Sequence, residues 1–122
     1  MTSQILWLPR PEAHDYDATT SYLDLILPHA KVLDFVDRLR AAPMTTFKAK
    51  DIFRASQLPL LGKDNSHVAK NLSKIQAGKS LSPILLVSDY TALKVHIADG
   101  YHRMCAVYTL SEDQDIPCQI VG

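Results

Sequence analysis

The run Val95-His96-Ile97-Ala98-Asp99-Gly100-Tyr101-His102-Arg103-Met104-Cys105-Ala106-Val107-Tyr108 decides the fold of this 122-residue chain. It begins with strand character, crosses one Asp-Gly pair and continues with the spacing of a helix. Glycine reaches backbone conformations that a Cβ forbids, so the chain can turn sharply at Gly100. Tyr101, His102 and Arg103 then fall in the first turn of that helix. The unpaired N–H groups of a first turn and the helix dipole favour an anion. A strand, a glycine turn and a His-Arg pair at a helix start together point to a phosphate site.

Upstream of this run, Ser82-Pro83 leads into Ile84-Leu85-Leu86-Val87. Four consecutive apolar residues imply a strand buried on both faces. Asp89–Ala92 reads as a turn, and Leu93–Ala98 as the antiparallel partner strand. Alternation puts Leu93, Val95 and Ile97 on one face and Lys94 and His96 on the other. Beyond the turn glycine, Met104, Ala106, Val107 and Leu110 are expected to seat the helix on the sheet. Ser111–Asp115 is an acidic loop. Ile116–Val121 is a last strand, with Pro117 marking an edge or a strand beginning. Before the apolar strand, Asn65 or Ser66 caps a helix whose stripe is Val68, Leu72 and Ile75, and Gly78 ends it. Lys70 and Lys74 lie four apart on its outer side. Thr45–Ala49 reads as a short strand, Lys50–Ser56 as a short helix, and residues 57–62 as a loop.

The first 44 residues carry less. Ile5–Leu8 is a short strand or hydrophobic plug. Residues 12–17 are polar and turn-like; His14, Asp15 and Asp17 read as a solvated loop, because their spacing fits no established metal-ligand pattern. A helix is expected over Thr19–Leu27, and another over 29–42 with the stripe Val32, Leu33, Phe35, Val36 and Leu39. The element order gives a small α/β (α+β) architecture: a mixed sheet with packed helices, a core over 45–122 and an N-terminal helical extension over 1–44.

Asp99-Gly100-Tyr101-His102-Arg103 followed by Ala106 resembles the signature box of the ParB/sulfiredoxin superfamily. ParB-type domains carry Gly-Glu-Arg-Arg-x-x-Ala there, and sulfiredoxins Gly-Cys-His-Arg. Ser82-Pro83-Ile84-Leu85-Leu86-Val87 is similar to the strand before that box. The likeness spans roughly residues 46 to 121. It implies a box that binds nucleotide phosphates, with ATP, ADP or CTP and magnesium as the candidate ligands, and phosphotransfer or phosphoester hydrolysis as the candidate chemistry. Tyr101 stands where sulfiredoxins have their cysteine. A phenol cannot perform that thiol chemistry, so sulfiredoxin activity is not expected. Tyr101 and His102 also replace ParB residues, and no helix-turn-helix follows, so sequence-specific DNA binding is not expected.

Read as chemistry, His102 is the candidate phosphate ligand or general acid/base. Arg103 offers a planar fork of donors suited to phosphate oxygens. Asp99 is the second candidate catalytic group; it can hold a magnesium ion, orient His102 or simply cap the helix. Gly100, Tyr101, Lys70 and Lys74 complete the candidate ligand-binding set. The competing reading is a module that kept the fold, lost catalysis and senses a ligand or binds a partner.

Formal net charge is zero, which argues against a general nucleic-acid binder. Yet residues 45–80 hold seven basic groups against two acidic ones, a local +5. No apolar run approaches the ~20 residues of a membrane span. The N-terminus shows no basic secretory region, so a cytoplasmic location is expected. Cys105 and Cys118 read as reduced, structural thiols.

Overall fold

Alternation along one strand organises the molecule. The computed structural model describes residues 4–122. In β2 (Ile84–Asp89), Ile84 and Leu86 point to one side of the sheet and Leu85 and Val87 to the other, and all four are buried. Full burial of each such side chain contributes roughly 1.5–3 kcal/mol. Two helical layers follow from that one run. The helices α1 (Ala13–Leu23) and α2 (His29–Ala41) bring Tyr16, Leu23, Val32, Val36 and Leu39 onto Leu85, Val87 and Ala98. On the opposite face, α3 (Ala49–Ser56), α4 (Ser66–Gln76) and α5 (Tyr101–Leu110) bring Ile52, Val68, Ile75, Met104 and Val107 onto Ile84, Leu86, Val95 and Ile97.

The described residues form a small α+β domain of five helices and one four-stranded mixed sheet. The remaining strands are β1 (Thr45–Lys48), β3 (Lys94–Asp99) and β4 (Asp115–Val121), in the order β1-β4-β2-β3. β2 is antiparallel to β3 and parallel to β4, and β4 is antiparallel to β1. The hairpin read from the sequence is therefore present. β4 is an inner strand, not an edge. Pro117 is tolerated because it opposes only Thr46 of β1; pairing with β2 begins at Cys118, so the missing N–H faces no β2 carbonyl. Gln119, fully buried in β4, accepts from the Tyr16 hydroxyl at 2.5 Å and donates to the Ala42 carbonyl at 2.7 Å. One inward amide thereby ties the N-terminal layer to the sheet.

Three expectations are corrected. The first helix begins at Ala13, six residues before Thr19, because residue 15 is not a loop residue. Asp15 accepts the Glu12 backbone N–H at 2.8 Å and satisfies an orphan donor at the helix start. The same helix stops at Leu23, and residues 24–27 continue only as turns. Leu93 is not a strand residue: it sits in the turn with φ +55° and is 80% exposed. Leu110 is 38% exposed at the end of α5, so Met104, Ala106 and Val107 seat that helix without it.

Asn65 caps α4, accepting from the His67 and Val68 N–H groups at 3.0 and 3.2 Å. Trp7 bridges Leu81 in a short parallel contact, and Ile5 and Trp7 pack against the core, so Ile5–Leu8 is a hydrophobic plug with one strand-like bridge. Both cysteines are free and buried, and burial pushes the Cys118 thiol up to about 12. No helix among the described residues is long and apolar enough to cross a membrane.

Candidate functional site

The turn at Gly100 works as its sequence suggests. Gly100 has φ +108° and precedes the first residue of α5. A Cβ there would lie 2.4 Å from Ile84 Cδ1 and 2.9 Å from Arg103 Nη2. Only glycine fits both the angle and the space. No side chain caps α5, so its first-turn N–H groups are free of that kind of partner.

Above this helix start lies an open polar cavity of about 240 Å³ between α4 and α5. Asp99, Gly100, Tyr101, His102 and Arg103 line one wall, and His67, Lys70, Asn71 and Lys74 of α4 the other. The structure thus brings every sequence-selected residue to one place. Lys63 and Lys79, from the same basic segment, do not line it. Lys70 and Lys74 are exposed, and among the described residues neither forms an ion pair. The His102 ring sits 4.8 Å from that of His67, centroid to centroid. Burial, and then the charge of His67, lower the pKa of His102, so its proton is held weakly until an anion compensates it. The Tyr101 hydroxyl donates to the Pro59 carbonyl and pins the 57–62 loop beside the pocket.

Arg103 departs most from expectation. Its fork is not open to a ligand. Nη2 donates to Asp99 Oδ2 at 2.6 Å and to the Pro83 carbonyl at 3.3 Å, while Nη1 faces Asp15 Oδ1 at 3.6 Å. Nε is buried with no partner. Asp99 therefore pairs with Arg103 and caps nothing. Burial, and the charge of Asp15 beside it, raise the Asp99 carboxyl above the usual range, although Arg103 pulls the other way.

Asp15 is the residue that sequence reading missed, since residues 12–17 looked like a solvated loop. It is 1% exposed and meets Arg103 from the opposite helical layer. The available signal was Glu12 followed three residues later by Asp15, just after Pro11, a pattern of reciprocal helix-start capping. His67 and Asn71 were also missed. Their signal was positional: His67 lies three residues before Lys70, and Asn71 three before Lys74, on one helical face.

A second cavity, of about 350 Å³, opens on the same side of the sheet at its other end. Phe47, Ile52, Ala55, Leu86, Val95 and Ile120 form its apolar lining, with Tyr90 and Leu93 at the rim. Nearby, Asp89 accepts from the Ala92 and Thr91 N–H groups and pairs with His96 at 3.0 Å. Those bonds, the one from Ala92 foremost, lower its pKa.

Chemically, the polar pocket offers cationic and hydrogen-bond-donating groups around a helix start, one imidazole pair and one raised carboxyl. Among the described residues, no group of three or more His, Cys, Asp or Glu side chains is placed to hold a metal ion. The chain matches no protein-family model, no characterised protein and no solved structure.

Proposed function

We propose that the pocket between α4 and α5 binds the phosphate end of a nucleotide or of a similar phosphate-bearing small molecule. The observation that carries this reading is the meeting of Lys70 and Lys74 with His102 across one cavity at an uncapped helix start. Lysine is a mobile point charge suited to phosphate, and a helix N-terminus adds oriented N–H groups. The cavity's ~240 Å³ falls below the roughly 300–1,000 Å³ of pockets that enclose drug-sized ligands, so the phosphate end sits inside and the remainder projects outward. The ParB/sulfiredoxin-like box supports ATP, ADP or CTP with magnesium as the ligands to try first. Any phosphotransfer or phosphoester hydrolysis rests on His102 as acid or base and on Asp99.

Calorimetric titration with ATP, ADP and CTP, with and without magnesium, tests this. Binding in the micromolar to millimolar range that His102→Ala and Lys70→Ala weaken supports it. No binding at millimolar nucleotide rejects it. Turnover lost in His102→Ala assigns an enzyme, and binding without turnover assigns a sensor. The apolar groove at the far end of the sheet favours a second reading, a module that binds a partner without catalysis.

A further inference from the structure

We infer that Asp15, on the N-terminal helix, is a positioning residue of the polar pocket: with Asp99 it holds Arg103 back, and protonation of this carboxyl pair releases the guanidinium to an incoming anion. This rests on the reading of the pocket as a phosphate site. It comes from one cluster drawn from three elements. Asp15 Oδ1 of α1 lies 3.6 Å from Arg103 Nη1, and Asp99 Oδ2 at the end of β3 lies 2.6 Å from Nη2 of the same guanidinium on α5. Asp15 is 1% exposed, so water does little to screen it. With both carboxylates ionised the cluster carries one surplus negative charge, and Asp99 and Arg103 face the pocket where an anion enters.

An anion approaching in that state meets repulsion from the surplus charge and a guanidinium already engaged. One proton on the pair removes the surplus charge and one of the two carboxylate restraints. Arg103 can then turn a nitrogen toward the pocket while keeping its bond to the Pro83 carbonyl. The neighbouring ionisable groups fall into separate sets. Glu12 and exposed His14 flank Asp15, His14 Nε2 at 3.5 Å. His67, Lys70 and Lys74 line the wall opposite Asp99, and His102 lies on its own wall. The histidine step is the one that His67→Ala and His102→Ala remove, so the two steps are distinguishable by variant.

Two measurements test it. Sulfate is the probe, because its charge is constant from pH 4 to pH 8. Wild-type affinity should rise on acidification in two steps, one in the histidine range and one in the carboxyl range. Asp15→Asn keeps a carbonyl oxygen for the Glu12 N–H. It should bind sulfate roughly ten-fold more tightly at neutral pH and lose the carboxyl-range step. Persistence of that step in Asp15→Asn overturns the proposal.

The ligand-free measurement is a carbon-13 NMR titration of the Asp99 carboxyl. Its midpoint should fall in Asp15→Asn, and an unmoved midpoint overturns the coupling whether or not any anion binds. A moved midpoint with no sulfate binding at any pH instead rejects the phosphate pocket, and the release step with it. Asp99→Asn removes the pair from its other side and should abolish the same carboxyl-range step, so a poorly folding Asp15→Asn does not shelter the idea.

Discussion

The polar pocket and the apolar groove open on the same side of the sheet, yet they are built in opposite ways. The pocket draws on two short runs, residues 67–74 and 99–103, each on or beside a single helix. The groove takes seven residues from the β2–β3 hairpin between Leu86 and Val95, three from α3, and one each from β1 and β4. The groove exists because α3 has only eight residues and so spans about 12 Å, leaving the end of the sheet beyond it uncovered. The pocket exists because Gly100 turns the chain beside α4. One concavity is therefore made by a motif and the other by the length of a neighbour.

Gly100→Ala separates them most sharply. The new Cβ must displace Ile84 Cδ1 at 2.4 Å while the residue keeps φ +108°. A strained positive φ and an overpacked core contact together cost about 2–5 kcal/mol. Denaturant unfolding should show that loss, and anion binding at the pocket should go with it. A loss under about 1 kcal/mol would mean that the turn is not what holds α5 against β2.

Arg103→Ala comes next. It leaves Asp15 and Asp99 facing each other with no cation between them. Breaking a buried pair costs about 3–5 kcal/mol, and the partial exposure of Arg103 reduces that to roughly 2–3. Arg103→Lys should recover less than half of the loss, since an ammonium cannot reach Asp15, Asp99 and the Pro83 carbonyl together. Stability curves for both variants decide this; equal stability of Arg103→Lys and wild type would deny the fork any role.

The contrast between the cavities also marks what the sequence disclosed. Apolar periodicity announced β2 and its burial on both faces, the α4 stripe and the α5 start, because each is a local pattern. Gly100 was legible as a turn through its missing Cβ. Asp15 was not, since its meaning depends on Arg103, 88 residues later in the chain. The engagement of Arg103 was hidden for the same reason: a fork looks free until its acceptors are in place. Leu93 misled because an alternating pattern extends one residue past the point where the backbone adopts a positive φ. The groove offered no signal, for its hairpin residues enclose a cavity only once Phe47, α3 and Ile120 stand against them.

Replacing both Lys70 and Lys74 with alanine sharpens the pocket side alone. Both are exposed, so stability should stay within about 0.5 kcal/mol. Phosphate affinity should drop about ten-fold and lose much of its salt dependence. Unchanged affinity moves the anion away from α4.

The two cavities also have carboxyls that respond to pH in opposite directions. The Asp89 pKa is lowered in the folded state, so its contribution is present above the unfolded carboxylate pKa and lost as pH falls through the folded one. Asp99 is raised, so its contribution is present below the unfolded pKa and lost as pH rises through the folded one. The stability deficit of Asp89→Asn should therefore shrink on acidification through the carboxyl range. A deficit independent of pH would show that the amide loses only the turn geometry.

Leu93→Asn should have the smallest effect, and it asks whether anything covers the groove in solution. Leu93 is 80% exposed and holds φ +55°, a conformation that asparagine tolerates better than leucine. If the rim faces water, the exchange relieves backbone strain and exposes no new apolar surface. A gain of about 0.5 kcal/mol is then expected, with sulfate binding at the distant pocket unchanged. A loss of stability that grows with protein concentration would instead mean that Leu93 is buried between copies of the chain. Denaturant unfolding at two concentrations a hundred-fold apart distinguishes the outcomes, because only an associated state makes apparent stability depend on concentration.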